Sequence, residues 1–202
     1  LLWVAVLTAC SGIGMQAKRD VVDHTFYASN PNMAIKLADD FIYRGENRSH
    51  GHAAYKNHPG GTVMTMEHHH FYNQAEGKTF MVIFKKLNKG YIIPNFNASI
   101  ANPLETGEVD ENGQKYQYAI FADKDVKGNC YLVKRLVRTS GGNGRMLVVC
   151  IYAQQLQPPF SDYTQWQNPN RLDENQREFL AEFSNAFEED IQFVKKQISM
   201  ND

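Results

Sequence analysis

Runs of β-prone residues, each closed by turn-forming residues, fill the middle of the chain, and an apolar stripe at helical spacing fills its end. Thr62 to Tyr72 and Thr79 to Leu87 are long runs of this kind, and the polar stretch Asn73-Gln74-Ala75-Glu76-Gly77-Lys78 between them predicts a hairpin. Tyr91-Ile92-Ile93-Pro94 reads as a short strand ended by proline. Asn95 to Gln114, rich in Asn, Gly, Pro and acids, reads as a long loop with at most a short helical turn. Lys115 to Ala122 is strand-like again, and Cys130–Arg138 with Arg145–Ala153 predicts a second hairpin around Ser140-Gly141-Gly142-Asn143-Gly144. Consecutive hairpins imply an antiparallel meander, because parallel neighbours need long crossovers.

Near the C-terminus the period changes. Leu180, Phe183, Phe187, Ile191, Val194 and Ile198 recur in steps of three and four and make one face of a helix. Asp173 and Glu174 at its start and Lys195 and Lys196 at its end suit the helix dipole, and Asp173 with Gln176 resembles a capping box. The pattern predicts an α+β domain, an antiparallel β-sheet meander packed by a long C-terminal α-helix. Gln157-Pro158-Pro159-Phe160 is the connector. Between Thr25 and Gly45, Met33, Leu37 and Phe41 fit a helical stripe, whereas Met33, Ile35 and Leu37 alternate as a strand after the turn-like Ser29-Asn30-Pro31-Asn32; strand is preferred. Phe26, Tyr27, Pro31, Ile35, Phe41 and Gly45, in that order, resemble the opening of PsbP/Mog1-like α/β sandwiches over about twenty residues, and this likeness carries no function.

The chain begins with the apolar run Leu1 to Ala9, too short for a bilayer span of about 20 residues. It has the length of the apolar core of a secretory signal. Leu7-Thr8-Ala9-Cys10 closes it and resembles the lipobox of bacterial lipoproteins. The resemblance implies that residues 1–9 are removed as a signal-peptide remnant and that Cys10 is lipidated. The diacylglycerol on the sulfur and a further acyl group on the amine would then hold the protein on a membrane. Ser11 after the Cys resembles the choice that sorts enterobacterial lipoproteins to the outer membrane, facing the periplasm. Residues 10–20, with two glycines and no apolar period, read as a flexible tether, and 21–202 as one domain.

A net charge of −1 leaves no electrostatic footprint for nucleic acid. Of three cysteines, Cys130 and Cys150 remain as a candidate disulfide if the hairpin register sets them opposite or diagonal on one face. Buried free thiols are the favoured alternative.

Six of seven histidines fall between positions 50 and 70. On a strand His68 and His70 share a face, and His50 with His52 could join them from a loop to hold Zn²⁺, Cu²⁺ or Ni²⁺. Glu67 belongs on the other face, with His69. The glycine-rich Ser140–Gly144 between Arg138 and Arg145 has strands on both sides, so it reads as a hairpin tip rather than a phosphate loop. Phe160, Tyr163 and Trp166 form either a lid over the sheet or an exposed ligand-binding loop, and the lid is preferred. Catalytic motifs such as G-x-S-x-G, C-x-x-C or H-E-x-x-H do not occur. The chain therefore reads as a non-enzymatic, membrane-anchored lipoprotein with an envelope interaction or assembly role, whose partners are the membrane and an envelope protein. Periplasmic metal binding by the His cluster is the alternative, and a hydrolase joining a Cys or Ser to a His ranks last.

Overall fold

The computed structural model describes residues 18–55, 58–88, 100–140 and 145–195, with the backbone alone at 52–55 and 58–62. The lipobox, the strand expected at Tyr91–Ile93 and the tip at 141–144 lie outside the described residues. The strands are β1 (Arg19–Val22), β2 (Thr25–Ser29), β3 (Asn32–Leu37), β4 (Ile42–Tyr55), β5 (His58–Asn73) and β6 (Lys78–Leu87). Then come β7 (Glu105–Glu111), β8 (Gln114–Lys124), β9 (Cys130–Ser140), β10 (Met146–Gln155), the helix α1 (Glu174–Asp190) and β11 (Ile191–Val194).

Seven strands form one antiparallel sheet in the order β4-β5-β6-β10-β9-β8-β7. It consists of two meanders, β4-β5-β6 and β7-β8-β9-β10, joined where β10 pairs with β6. The hairpins expected at 62–87 and 130–153 are both present. A second sheet, β1-β2-β3-β11, is smaller and was not foreseen. The ambiguous Met33–Leu37 segment is strand, within β3.

The main core lies on one face of the large sheet, and a smaller cluster of Ile83, Val137, Leu147 and Val149 is buried on the other. Phe71, Phe80, Val82, Phe84, Ile120, Leu132, Leu136, Val148, Cys150 and Tyr152 point into the main core, and the small sheet contributes Phe26, Ile35 and Leu37. Phe26 of β2 packs on Phe71 and Phe84, so the small sheet covers β5 and β6. Phe183 and Phe187 of α1 pack on Tyr152, so the helix covers β10. Between β10 and α1 comes the lid. Trp166 is 1% exposed, donates its indole N–H to the Phe160 carbonyl at 3.0 Å and belongs to the core cluster. The aromatic segment is thus a packed lid, as preferred from its sequence. Among the described residues no helix is long and apolar enough to cross a membrane.

Three expectations need correction. The helix is 17 residues long and stops at Asp190, so Ile191 and Val194 are strand residues. Their backbone pairs with β3, Ile191 opposite Leu37 and Val194 opposite Ala34. β-Branched side chains and an open edge on β3 favour strand there. The capping box is present as expected: Asp173 accepts from the Gln176 backbone N–H, and Gln176 accepts from that of Asp173. The C-terminus of the helix carries Asp190 instead of lysines, a poor match to its dipole. Lys78, 3.0 Å away, neutralises that carboxylate, and the Tyr152 hydroxyl donates a hydrogen bond to it at 2.6 Å.

Second, the segment read as loop from Asn95 to Gln114 contains β7, which pairs with β8 through a two-residue turn. Asn112 (φ 54) and Gly113 (φ 76) both have positive φ, the conformation that Asn-Gly adopts in a hairpin turn. Third, the tether does not reach residue 20, because Arg19 and Asp20 already pair with Ala28 and Tyr27.

Truncating Phe187, 1% exposed beneath the helix, leaves a cavity against Tyr152. Phe187→Ala is expected to lower unfolding free energy by about 3–5 kcal/mol. Asp173→Ala, which removes only the cap, is expected to cost about 1 kcal/mol. Urea unfolding of both variants checks the ranking.

Candidate functional site

The β4–β5 pairing decides how the histidines are distributed. His68 and His70 share the outer face of the large sheet, their rings 6.1 Å apart and nearly parallel. Ser49 contacts His68 Nε2 at 3.2 Å, and His70 Nε2 is buried without a hydrogen-bond partner among the described residues. Burial, with His70 and Lys85 nearby, pushes the His68 pKa down. His50 pairs with Thr65, two residues along from Glu67, and therefore sits on the opposite face from His68 and His70. The structure thus does not bring His50 to that pair. The backbone of His52 pairs with Thr62, and its side chain lies outside the described residues.

The inner face carries a more organised array, built on Glu67 and His69, which share a face as expected from alternation. His69 is 1% exposed, and its Nε2 lies 2.8 Å from Glu67 Oε1. An ionised carboxylate can only accept, so Nε2 carries the proton, and in the neutral imidazole Nδ1 accepts from the Tyr43 hydroxyl at 3.1 Å. Arg19 of β1 places Nε 2.9 Å from the same Glu67 oxygen, with its guanidinium 3.9 Å over the Phe84 ring. The Phe26 ring lies 4.8 Å from the His69 ring. The chain Tyr43–His69–Glu67–Arg19 therefore ties the edge strand β4, its neighbour β5 and the first strand of the small sheet together.

Burial pushes the Glu67 carboxyl up, but the hydrogen bond from His69 and the charge of Arg19 outweigh it, and the net shift is downward. Burial raises the Tyr43 hydroxyl pKa, and the carboxylates of Glu46 and Glu67 add to it. A recess of about 190 Å³ lies beside this array, lined in part by Arg19, Tyr43, Glu46 and His69. Ligand atoms of Glu46, Glu67 and His69 lie within 4.8 Å of one another, which suits a cation in number and type. The site is nonetheless charge-compensated. Arg19 already neutralises Glu67, and His69 spends its Nε2 proton on the same carboxylate, so a divalent ion would have to displace both.

Sequence reasoning missed Arg19, Tyr43 and Glu46. Arg19 was assigned to a tether and Tyr43 to an ambiguous segment, and only the alternation of Glu67 with His69 hinted at the array.

Cys130 and Cys150 are free and buried. Cys150 faces Leu136 across the hairpin, and Cys130 lies six residues further along on the same face. That separation is about 20 Å, well beyond the reach of about 7 Å that a bridge requires. The Cys150 thiol is pushed up to about 12 by burial, which makes it an inert core group. Arg138, beside the glycine-rich tip, points inward and donates to the Tyr116 hydroxyl at 2.8 Å.

Comparison with protein families, with curated proteins and with solved structures finds no match for this chain.

Because the Glu67 pKa is lower in the folded chain than its ordinary 4.5, the array's contribution is full above that value and fades as pH falls through the folded pKa. Wild-type stability is therefore expected to drop on acidification below about pH 4.5, and Glu67→Gln to flatten that limb. At pH 7 the substitution should cost about 2 kcal/mol, less than a fully buried pair, because the Glu67 side chain retains 18% of its exposure. Denaturant titrations at pH 3 to 7 read both effects.

Proposed function

We propose that this chain is a lipid-anchored bacterial envelope protein whose β-rich domain acts in interaction or assembly rather than catalysis. The observation that carries the reading is Leu7-Thr8-Ala9-Cys10 at the end of an apolar run, with β1 beginning at Arg19. Eight residues separate Cys10 from that strand, and fully extended they reach about 28 Å. Two or more acyl chains at the membrane surface would hold the domain close above it. Ser11 supports the outer membrane, with the domain facing the periplasm and an envelope protein as its partner.

The interior chemistry supports a scaffold role. The Cys150 thiol is raised by burial, both ring nitrogens of His69 are engaged, and Lys134 is ion-paired to Glu188 at 2.9 Å. These ionisable groups hold sheets and helix in place. Metabolic labelling with a radiolabelled fatty acid in the native host tests the anchor. The wild-type chain is expected to take up label and partition into detergent, and Cys10→Ala to lose both. An unlabelled chain that keeps residues 1–9 would end the reading.

Metal binding is the second reading, favoured by the stacked His68–His70 pair and by His70 Nε2, which has no hydrogen-bond partner among the described residues. Two imidazoles on alternate strand positions can chelate one Zn²⁺, Cu²⁺ or Ni²⁺ ion. Calorimetric titration of untagged protein with each metal is expected to give a Kd of about 1 µM or tighter. His68→Ala should abolish it.

A further inference from the structure

The largest recess among those described is a groove of about 590 Å³ between the lid and the start of α1. Its volume is that of a small-molecule site, about 300–1,000 Å³. The lid forms one wall through the 3-10 turns Tyr163–Trp166 and Pro169–Arg171, and the first turn of α1 forms the other.

The polar residues of the groove fall into two sets. Thr164 donates to Asp162, Asn168 caps Asn170, and Asp173 and Gln176 complete the capping box, so these groups build the walls. Gln165, Gln167, Arg171 and Asn175 are exposed, line the same groove, and make no side-chain hydrogen bond or ion pair with any described residue. Three carboxamides and one guanidinium therefore line a common space with no side-chain partner among the described residues. Phe160 also lines it, half-buried and held edge-on to Trp166 at 6.0 Å and against Phe179 at 4.8 Å. The ring is fixed before any ligand arrives, so contact with it costs little ordering entropy.

This donor set selects a class of ligand. A carboxamide offers two donors and an acceptor in one plane, which matches adjacent hydroxyls or an acetamido group. Arg171 supplies forked donors. A fixed aromatic ring takes the apolar face of a sugar. Asp173 is the one carboxylate in the lining and one of its oxygens is held by the cap, while a polyanion meets Arg171 as the one cationic residue of the lining.

We propose that this groove binds a neutral oligosaccharide, with Gln165, Gln167, Arg171 and Asn175 hydrogen-bonding its hydroxyl or acetamido groups and Phe160 supporting a ring face. The proposal deepens the envelope reading, which supplies glycan strands near the membrane, but it does not require the lipid.

The test is titration of the full chain with β-1,4-linked N-acetylglucosamine hexamer and, separately, with the unacetylated glucose hexamer, followed by nitrogen-15 NMR. Binding of at least one oligomer with a Kd of about 0.1–1 mM is expected, with shifts in the side-chain amides of Gln165, Gln167 and Asn175. Gln167→Ala combined with Asn175→Ala should weaken it at least tenfold while leaving thermal unfolding unchanged, and Arg171→Ala alone should weaken it severalfold. A preference for the acetylated oligomer assigns the acetamido contact, and equal binding assigns hydroxyls. No binding of either below about 10 mM, or binding that all three substitutions leave intact, overturns the proposal. An unlipidated chain that still binds removes the anchor and keeps the groove. A lipidated chain that does not bind removes the groove alone.

Discussion

Covering the inner face of a seven-stranded sheet is the constraint on which the structure depends. The residues that point inward are large and apolar, and leaving them in water would cost about 25 cal/mol for each Å² of apolar surface. No single element of this chain is wide enough to cover them. The small sheet covers β5 and β6, the helix covers β10, and the lid with Trp166 closes the space between. Helix length follows from that division. Once α1 has crossed β10, β11 is needed as the fourth strand of the small sheet, and the chain changes from helix to strand at Ile191.

Charged groups secure the joints between these layers. Arg19–Glu67 links the first strand of the small sheet to β5, Lys134–Glu188 links β9 to the helix, and Lys78–Asp190 links β6 to the helix end. Lys134 also lies 4.0 Å from the centre of the Phe187 ring, so its stem packs while its ammonium is paired. Each pair sits where an element with a free end meets the large sheet. Pairs of this kind contribute less to net stability than to the choice of one packing among several, because a slipped arrangement would leave a charge buried and alone.

Much of the strand content was legible because its cause is local. β5 with β6 and β9 with β10 are apolar runs with turn residues between them, and the helix start was legible from Asp173 and Gln176 alone. β7 was not legible from its composition. Glu105, Glu108, Asp110 and Glu111 are poor strand formers, and an edge position with one solvated face tolerates them. Asn112-Gly113 was the signal that should have marked its hairpin, but it stood in a segment already rich in loop residues. The site was legible only in part. Alternation placed Glu67 with His69, yet Arg19 and Tyr43 come from strands 48 and 26 residues away from their partners, and no short-range pattern joins them.

The amino-acid order by itself determined the periods, the caps and the opposition of His69 to His68 and His70, because each of these is fixed by backbone geometry over a few residues. It also carries the likeness of Leu7-Thr8-Ala9-Cys10 to a lipobox, which is a matter of adjacent residues. The tertiary structure alone decided the second sheet, the end of the helix and the distance between Cys130 and Cys150. It also brought Gln165, Gln167, Arg171 and Asn175 around one groove. These depend on register between strands and on how far one element must extend to cover another, and such long-range pairings are selected by the burial of the whole sheet face.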